Sequence, residues 1–183
     1  MNELFCGRLA RMALPREYTN QACSMVRALE IVGERWTLLI VRDAVFGVRR
    51  FSDFVEHLGI PRAVLTERLE FLIGEGVLAR VPGPGKRSEY ELTAKGRGLW
   101  PVVRALSAWG DEHYAPGGRR RVFVHAGCDG EVPQSGTCLR CGAEVTLAET
   151  VMTPGPGLTP PSPEEGQVSA VLARPRPLLQ PVH

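Results

Sequence analysis

The chain has 183 residues, enough for one or two small domains but too few for a large multi-layer enzyme fold. Hydrophobic residues make up 44% and charged residues 23%, which is the composition of an average soluble protein. The formal net charge of +2 excludes a nucleic-acid interaction driven by bulk charge, so any such footprint must come from local clusters of basic residues.

From its sequence we expect neither a membrane span nor a secretory signal. Its longest apolar stretches, such as Trp36 to Val41, are far shorter than the roughly 18 residues that cross a bilayer. The N-terminus lacks the charged and then apolar layout of a leader. We therefore expect a cytoplasmic protein without a membrane partner. Cysteines stay reduced in that compartment and serve metal binding or redox chemistry more often than disulfides.

Helical periodicity begins after a short N-terminal segment. Residues 1–19 carry no sustained pattern and are predicted to form an arm. Apolar residues then recur three and four positions apart, which is typical of amphipathic helices. Four helices are predicted: Asn20 to Val32, stopped by a left-handed Gly33; Glu34 to Phe46; Phe51 to Leu58, closed by Gly59; and Arg62 to Ile73, started by Pro61.

The spacing of apolar residues changes to two after the fourth helix. Val77 to Val81 and Ser88 to Leu92 are therefore predicted as the strands of a hairpin, with a flexible basic tip of sequence Pro-Gly-Pro-Gly-Lys-Arg. Thr93 follows as a cap for a helix that is predicted to run to about Tyr114. The fold class expected for residues 20–115 is mainly α with a small β-hairpin.

Two short helices joined by a tight turn and followed directly by a hairpin form the order of a winged helix-turn-helix. The turn has the sequence Leu58-Gly59-Ile60-Pro61. In such a unit the second helix enters the major groove with its N-terminal turns toward the bases, and the hairpin, or wing, lies along the backbone or in the minor groove. The order of elements therefore predicts double-stranded DNA as a partner.

Basic residues of this region cluster at the three places where a winged helix contacts DNA. The residues left on the recognition helix after the buried positions are subtracted, and predicted to face base edges, are Arg62, Ala63 and Thr66. Those predicted to contact phosphates or to follow the path of the wing are Arg50, Arg68, Lys86 and Arg87. Ordinary solvated surface is the alternative for each arginine taken alone.

Several blocks of sequence resemble the HxlR-type transcriptional regulators in order and spacing. The blocks are Cys23-Ser-Met-Val-Arg-Ala-Leu-Glu-Ile-Val-Gly-Glu-Arg-Trp-Thr-Leu-Leu-Ile-Val-Arg-Asp, then Phe-Gly-Val-Arg-Arg-Phe-Ser-Asp-Phe, then Leu65-Thr-Glu-Arg-Leu, then Tyr90-Glu-Leu-Thr-Ala-Lys-Gly. The resemblance implies a dimeric winged-helix regulator of bacterial transcription, related in architecture to MarR-type proteins, and not an enzyme. Pro61 departs from the family, which often has Ser or a similar cap there; the lost cap corresponds to about 1 kcal/mol.

The apolar surface of two helices also favours a homodimer. The helix that ends near Tyr114 carries Val102, Leu106 and Trp109, which is more apolar surface than one small winged helix needs to cover. The first helix offers a second apolar face. Internal packing of both helices is the alternative. A two-fold dimer would read an inverted-repeat operator with doubled contacts.

Residues 116–150 form a separate Gly-rich segment with paired metal-ligand residues. The pairs His125-x2-Cys128 and Cys138-x2-Cys141 are separated by nine residues. Three thiolates and one imidazole can hold Zn²⁺ in a closed tetrahedral site, and the metal would supply stability that few apolar side chains can. We expect a zinc-ribbon-like module. A metal-free hairpin is the alternative, whereas a catalytic zinc is disfavoured because four ligands leave no open position.

Cys23 falls in the first turn of the first predicted helix. The helix dipole favours a thiolate there and raises its reactivity. Some HxlR-type regulators carry a cysteine that senses oxidants or electrophiles at the matching position, so the resemblance allows a redox-sensing role with an oxidant or small-molecule effector. A small packed thiol is the alternative.

Residues 151–183 contain eight of the 15 prolines and few large apolar side chains, so a disordered Pro/Gly-rich tail is predicted. The leading functional hypothesis for the whole chain is a sequence-specific DNA-binding regulator. A second hypothesis is a redox or metal sensor whose thiol chemistry controls DNA binding. An oxidoreductase or hydrolase built on the Cys/His module is disfavoured because no nucleophile has a placed base and no cofactor loop is present.

Overall fold

A computed structural model of the chain describes residues 23–85 and 87–183. The predicted arm, Asn20 and the wing residue Lys86 lie outside the described residues. The helices are α1 (Ser24–Val32), α2 (Thr37–Val45), α3 (Phe51–Leu58), α4 (Arg62–Gly74), α5 (Ala94–Arg97), α6 (Trp100–Tyr114) and α7 (Gly166–Leu172). The strands are β1 (Leu78–Pro82), β2 (Ser88–Leu92), β3 (Arg121–His125), β4 (Thr150–Pro154) and β5 (Arg176–Pro177).

The helix-turn-helix forms where the apolar periodicity predicts it. Helix α3 has the predicted bounds, and α4 extends one residue beyond them to Gly74. Phe54 of α3 and Leu65 and Leu69 of α4 have no exposed surface, so the two helices bury their apolar faces in the same core. The turn between them and the wing that follows confirm a mainly α winged helix-turn-helix.

Two glycines end helices for different reasons. Gly59 follows α3 with a φ of 61°, a left-handed conformation that favours glycine. Gly33 follows α1 with a φ of −75°, so the prediction of a left-handed stop is wrong there. A Cβ at Gly33 would lie 2.4 Å from the carbonyl oxygen of Leu29. Gly33 is therefore required by space and not by its backbone angles.

The helix predicted to begin after Thr93 is divided into α5 and α6. Thr93 caps α5, because its Oγ1 accepts a hydrogen bond from the Gly96 N–H at 3.1 Å. Pro101 lies in the first turn of α6. Because proline has no N–H to donate to the carbonyl four residues earlier, it cannot continue α5 and instead starts a new helix.

Residues 151–183 are packed, so the prediction of a disordered tail is wrong. Strand β4 pairs antiparallel with β3 over its full length and with β5 on its other edge, and it crosses the boundary predicted at residue 150. Met152, Val168 and Leu172 have no exposed surface and belong to the core that contains Phe54. Composition does not predict this packing, because a few apolar residues at helical spacing contact residues that are far away in the sequence.

The C-terminal part of the chain is joined to the helix-turn-helix region by hydrogen bonds that its backbone N–H groups donate. The Val168 N–H of α7 donates to Glu56 Oε1 of α3 at 2.7 Å. Leu179 and Val182 donate their N–H groups to the carbonyl oxygens of Val45 and Gly47, at 2.8 and 3.0 Å. These bonds hold the chain terminus against the loop that leads into α3. No helix in the described ranges is long and apolar enough to span a bilayer.

Truncation of the α7 core should test this packing. Leu172→Ala is expected to lower the free energy of unfolding by about 2–5 kcal/mol, because it removes a fully buried side chain and leaves a cavity. Leu139 is 72% exposed, so Leu139→Ala provides a matched control with little expected effect. Urea unfolding followed by circular dichroism measures both changes. Similar small effects for the two variants would contradict the packed arrangement.

Candidate nucleic-acid interface and metal centre

The N-terminal turns of α4 present an exposed face. Pro61 precedes the helix without a side-chain cap, as its lack of a capping group predicts. Arg62, Ala63 and Thr66 are exposed, and Thr66 Oγ1 donates to the Arg62 carbonyl oxygen at 3.0 Å. The Arg62 guanidinium lies 5.1 Å from the ring centroid of Phe51 at the start of α3. The structure therefore brings the three residues predicted to face bases onto one accessible patch.

Two of the arginines predicted to contact phosphates are engaged within the protein. The side chain of Arg68 is only 12% exposed; it forms an ion pair with Glu67 and lies over the ring of Phe71. Arg50 Nε, next to the start of α3, donates to Glu89 Oε1 of the wing strand β2 at 3.3 Å. These arginines fix local structure as well as supplying positive charge.

A second ion pair runs parallel to that of Arg50. Arg49 pairs with Glu91, also on β2, so adjacent arginines hold the wing strand against the loop before α3. Among the described residues predicted to contact DNA, Arg62 and Arg87 have no ion pair. These pairings could not be predicted from the sequence, because the acidic partners lie about 40 residues further along the chain.

A buried carboxylate that the sequence analysis missed connects α2 to α3. Asp43 has no exposed surface, and its Oδ1 accepts from Nε and Nη2 of Arg42 at 2.9 and 2.7 Å. Its Oδ2 lies 2.7 Å from Nδ1 of His57 in the last turn of α3. Hydrogen bonds on both oxygens compensate the carboxylate for its burial. Asp43 therefore sets the position of α3 relative to α2.

The predicted metal ligands converge at one end of β3. His125 Nδ1 lies 3.4 Å from Cys128 Sγ and 3.3 Å from Cys141 Sγ, and the Sγ atoms of Cys128 and Cys138 are 3.4 Å apart. All four ligand atoms lie within 4.8 Å of one another. In a tetrahedral site with sulfur about 2.3 Å from the metal, the ligand atoms lie about 3.8 Å from one another. The cluster can therefore hold a metal ion.

The backbone around the cluster is shaped for thiolates. The backbone N–H groups of Cys141 and Arg140 lower the pKa of Cys138 to about 6. A Cβ at Gly130 would lie 2.5 Å from Cys138 Sγ, so only glycine allows the chain to pass this close to the sulfur. Gly142 follows the second ligand pair with a φ of +73°, a left-handed conformation in the turn that carries both thiols.

The Cys23 thiol is exposed immediately before α1. The nearby backbone N–H groups of Val26 and Met25 lower the pKa of Cys23, because they favour the thiolate at the helix N-terminus. This is the electrostatic effect that the sequence position predicts. The accessibility of the thiol also disfavours the alternative of a packed structural cysteine.

Comparison with known proteins identifies the class of this fold. Residues 31–117 match the HxlR-like helix-turn-helix family. Rv3095, an uncharacterized HTH-type transcriptional regulator of Mycobacterium tuberculosis, is 44% identical over 137 residues, which cover 73% of this chain and 87% of the relative. The chain belongs to the HxlR-like helix-turn-helix family. The family match ends at residue 117, and an alignment of 137 residues cannot fit within the first 117 residues. The similarity of this HxlR-type protein to Rv3095 therefore extends into the C-terminal part.

Two further relatives agree with this assignment. The HTH-type transcriptional regulator YodB of Bacillus subtilis is 32% identical over 102 residues, which cover 54% of this chain and 91% of YodB. The crystal structure of PA1607, described as a transcription factor, has a TM-score of 0.58 and 36% sequence identity, and the match covers 70% of this chain and 91% of that one. This HxlR-type protein is a transcriptional regulator, and DNA is its partner.

Proposed function

We propose that this regulator binds an inverted-repeat operator in a sequence-specific manner as a homodimer. The observation that carries the proposal is the exposed patch of Arg62, Ala63 and Thr66 on the first turns of α4. The first turns of a recognition helix are the part that reaches base edges. Since these residues combine a guanidinium, a methyl group and a hydroxyl, they can distinguish base pairs in the major groove.

The residues of the interface divide into two roles. Arg62 would bind a guanine through two parallel hydrogen bonds, Ala63 would contact a thymine methyl, and Thr66 would contact a neighbouring base edge. The side chains proposed to contact phosphates are Arg50, Arg68, Lys86 and Arg87. The ion pairs of Arg50 and Arg68 orient their guanidinium groups before DNA arrives, so that a phosphate can share them with the carboxylate.

Substitution of Arg62 and of Arg87 should separate the two roles. On an operator selected from random duplexes, Arg62→Ala is expected to weaken binding by about 1–3 kcal/mol and to relax preference at one base pair in each half-site. Arg87→Ala should weaken binding to operator and scrambled duplexes alike. It should also reduce the slope of the logarithm of the binding constant against the logarithm of salt concentration by about one. Fluorescence anisotropy at several salt concentrations measures both effects.

Arg174→Ala is the control for this comparison, because Arg174 is exposed in the C-terminal part, outside the proposed interface. It should bind like the wild type. Equal affinity of the wild type for operator and scrambled duplexes would overturn sequence-specific binding. A uniform loss with Arg62→Ala would remove its proposed role in base recognition.

Exposed apolar side chains on two helices support the homodimer. Leu106 and Trp109 of α6 are 53% and 52% exposed and lie on the same face as Val102. Met25 and Leu29 form a second exposed apolar pair on α1. Contiguous exposed apolar surface of this kind is typical of interfaces. A second copy of the chain would cover both helices and place two recognition helices about a two-fold axis.

A charge placed on α6 should dissociate the dimer. Leu106→Glu is expected to give monomers in sedimentation analysis and to weaken operator binding strongly, because a carboxylate cannot be buried at the interface without a partner. Leu139→Glu, at the exposed leucine outside this face, should leave the dimer unchanged. If the Leu106→Glu variant sediments as the same dimer as the wild-type protein, the proposed interface is wrong.

We also propose that the Cys/His cluster binds a structural Zn²⁺ through His125, Cys128, Cys138 and Cys141. The set of three sulfur atoms and one imidazole nitrogen supports zinc, and four ligands leave no position for water. Zinc would link the turn after β3 to the loop that precedes β4. Few apolar residues of this loop are buried, so the metal would supply much of its stability.

Removal of one ligand should release the metal and loosen the module. The wild-type protein is expected to contain about one zinc per chain, and Cys138→Ser to contain little, with a lower unfolding temperature. Cys23→Ser is the matched control, because Cys23 lies outside the cluster and should keep the zinc. Elemental analysis and thermal unfolding measure these changes. Zinc-free wild-type protein with the unfolding temperature of the zinc-loaded form would contradict a structural metal.

A second candidate function is redox sensing through Cys23, supported by the exposure of this thiol and its lowered pKa. Treatment with peroxide or a quinone should modify Cys23 and change operator binding, because the thiolate is the reactive form. Cys23→Ser should bind the operator normally and fail to respond. Mass spectrometry locates the adduct or cross-link. An altered affinity without any modification of Cys23 would exclude this role.

A further inference from the structure

Residues 178–182 form a strap that lies against the loop leading into α3. The first residue of the strap, Leu178, is 3% exposed, and its N–H donates to the Thr150 carbonyl oxygen of β4 at 2.9 Å. The N–H of the next residue, Leu179, donates to the Val45 carbonyl oxygen at the end of α2 at 2.8 Å. The strap therefore connects the C-terminal sheet to the chain between α2 and α3.

Leu179 has a backbone conformation that is uncommon for a residue with a side chain. Its φ is 62°, in the left-handed region that favours glycine. Both of its backbone polar groups are bonded, since the N–H donates to Val45 and the carbonyl oxygen accepts from Nη2 of Arg49 at 3.2 Å. Such a conformation persists only where the surrounding structure holds it. The contacts with Val45 and Arg49 therefore fix the strap at this residue.

Arg49 joins the strap to the wing strand β2. Its guanidinium, which donates to the Leu179 carbonyl oxygen, also pairs with Glu91 of β2. The Arg49 carbonyl oxygen accepts a hydrogen bond from the Tyr90 N–H at 2.8 Å. Arg49 is thus bonded to the strap through its side chain, and to β2 through both its side chain and its backbone.

The hydrophobic core holds only one face of β2. Tyr90 and Leu92 are buried, because alternate side chains of a strand point to the same face. The intervening Glu91 lies on the opposite face, where it pairs with Arg49. The direction of the wing is then set by the core on one face and by the ion pairs on the other. The position of Arg87, which directly precedes β2, depends on both.

We propose that Arg49 is a positioning residue through which the strap holds the wing in the orientation that binds DNA. Because the wing is one of the regions proposed to contact the operator, this role rests on the proposed function. The strap lies beyond residue 117, where the family match ends. The added part of this chain therefore contributes to DNA affinity without touching DNA, whereas Arg87 makes the phosphate contact.

Two substitutions at Leu179 remove the same side chain and differ in the backbone. Glycine adopts a positive φ freely, so Leu179→Gly should keep the strap in place. Proline fixes φ at about −65° and has no N–H, so Leu179→Pro should release the strap and bind the operator at least about tenfold less tightly than Leu179→Gly. Fluorescence anisotropy measures both affinities, and circular dichroism establishes that each variant is folded. Equal affinity of the two folded variants would overturn the proposal.

Double variants distinguish the wing from the rest of the DNA-binding surface. A displaced wing has already lost the Arg87 contact, so adding Arg87→Ala to Leu179→Pro should lower the affinity by less than about twofold. Arg62→Ala, on the recognition helix, should lower the affinity of Leu179→Pro by the same factor as that of the wild type. Full additivity with Arg87→Ala, or equal coupling to Arg62→Ala, contradicts action through the wing.

Amide hydrogen exchange tests the connection without DNA and so separates it from operator binding. The Tyr90 amide should exchange faster in Leu179→Pro and in Arg49→Gln than in the wild type, while the amides of the β3–β4 ladder are unchanged. Arg174→Gln, at an exposed arginine, is the control and should leave Tyr90 protected. Arg49→Gln leaves the strap backbone unchanged, so it decides the question if Leu179→Pro does not fold.

The two readouts fail in different ways. Wild-type exchange at Tyr90 in Arg49→Gln, in a protein that binds its operator, would exclude the positioning role and leave the proposed function intact. Faster exchange at Tyr90 in a protein without operator preference would support the contact between strap and wing and contradict the proposed function.

Discussion

The close contact between Gly47 and the C-terminal segment is the constraint that joins the two halves of this molecule. Gly47 has a φ of +93°, and a Cβ there would lie 1.7 Å from the carbonyl oxygen of Gln180. No other residue type fits this backbone angle and this space. Because the loop around Gly47 leads into α3, the position of the helix-turn-helix depends on a segment that is more than 130 residues away in sequence. The Cys/His cluster and the DNA-binding helices are therefore parts of one packed body.

The elements that depend on local signals could be predicted from the sequence. The predicted bounds of helices α3 and α4 agree with the structure almost to the residue, because their apolar stripes are complete and Gly59 and Pro61 mark the turn. The C-terminal part could not be predicted in this way. Val168 and Leu172 gain their burial from α3, more than 100 residues earlier, and single-sequence periodicity contains no information on such partners. The number of prolines predicts disorder, although Pro154 and Pro177 end strands β4 and β5 and Pro156 lies in a turn.

The candidate sites show the same division between local and distant information. The spacing predicts which four residues come together in the Cys/His cluster, since two side chains three residues apart fit one turn of chain. The charge of the interface was overestimated, because Glu89 and Glu91 reach back to the arginines before α3. The Asp43–His57 contact could not be predicted, because Asp43 ends the first block that resembles the HxlR-type regulators but nothing in the sequence pairs it with His57. Its role arises from the packing of α2 against α3.

Strand β3 connects the Cys/His cluster to the core of the molecule. His125, a predicted metal ligand, and Arg121 are its two ends, about 13 Å apart at the rise of an extended strand. Pairing with β4 along this whole length keeps the ends in fixed register, and Phe123 at the centre of β3 is buried in the core that also contains residues of α3, α4 and α7. The Cys/His cluster is therefore anchored, through one strand, to the same core as the recognition helix.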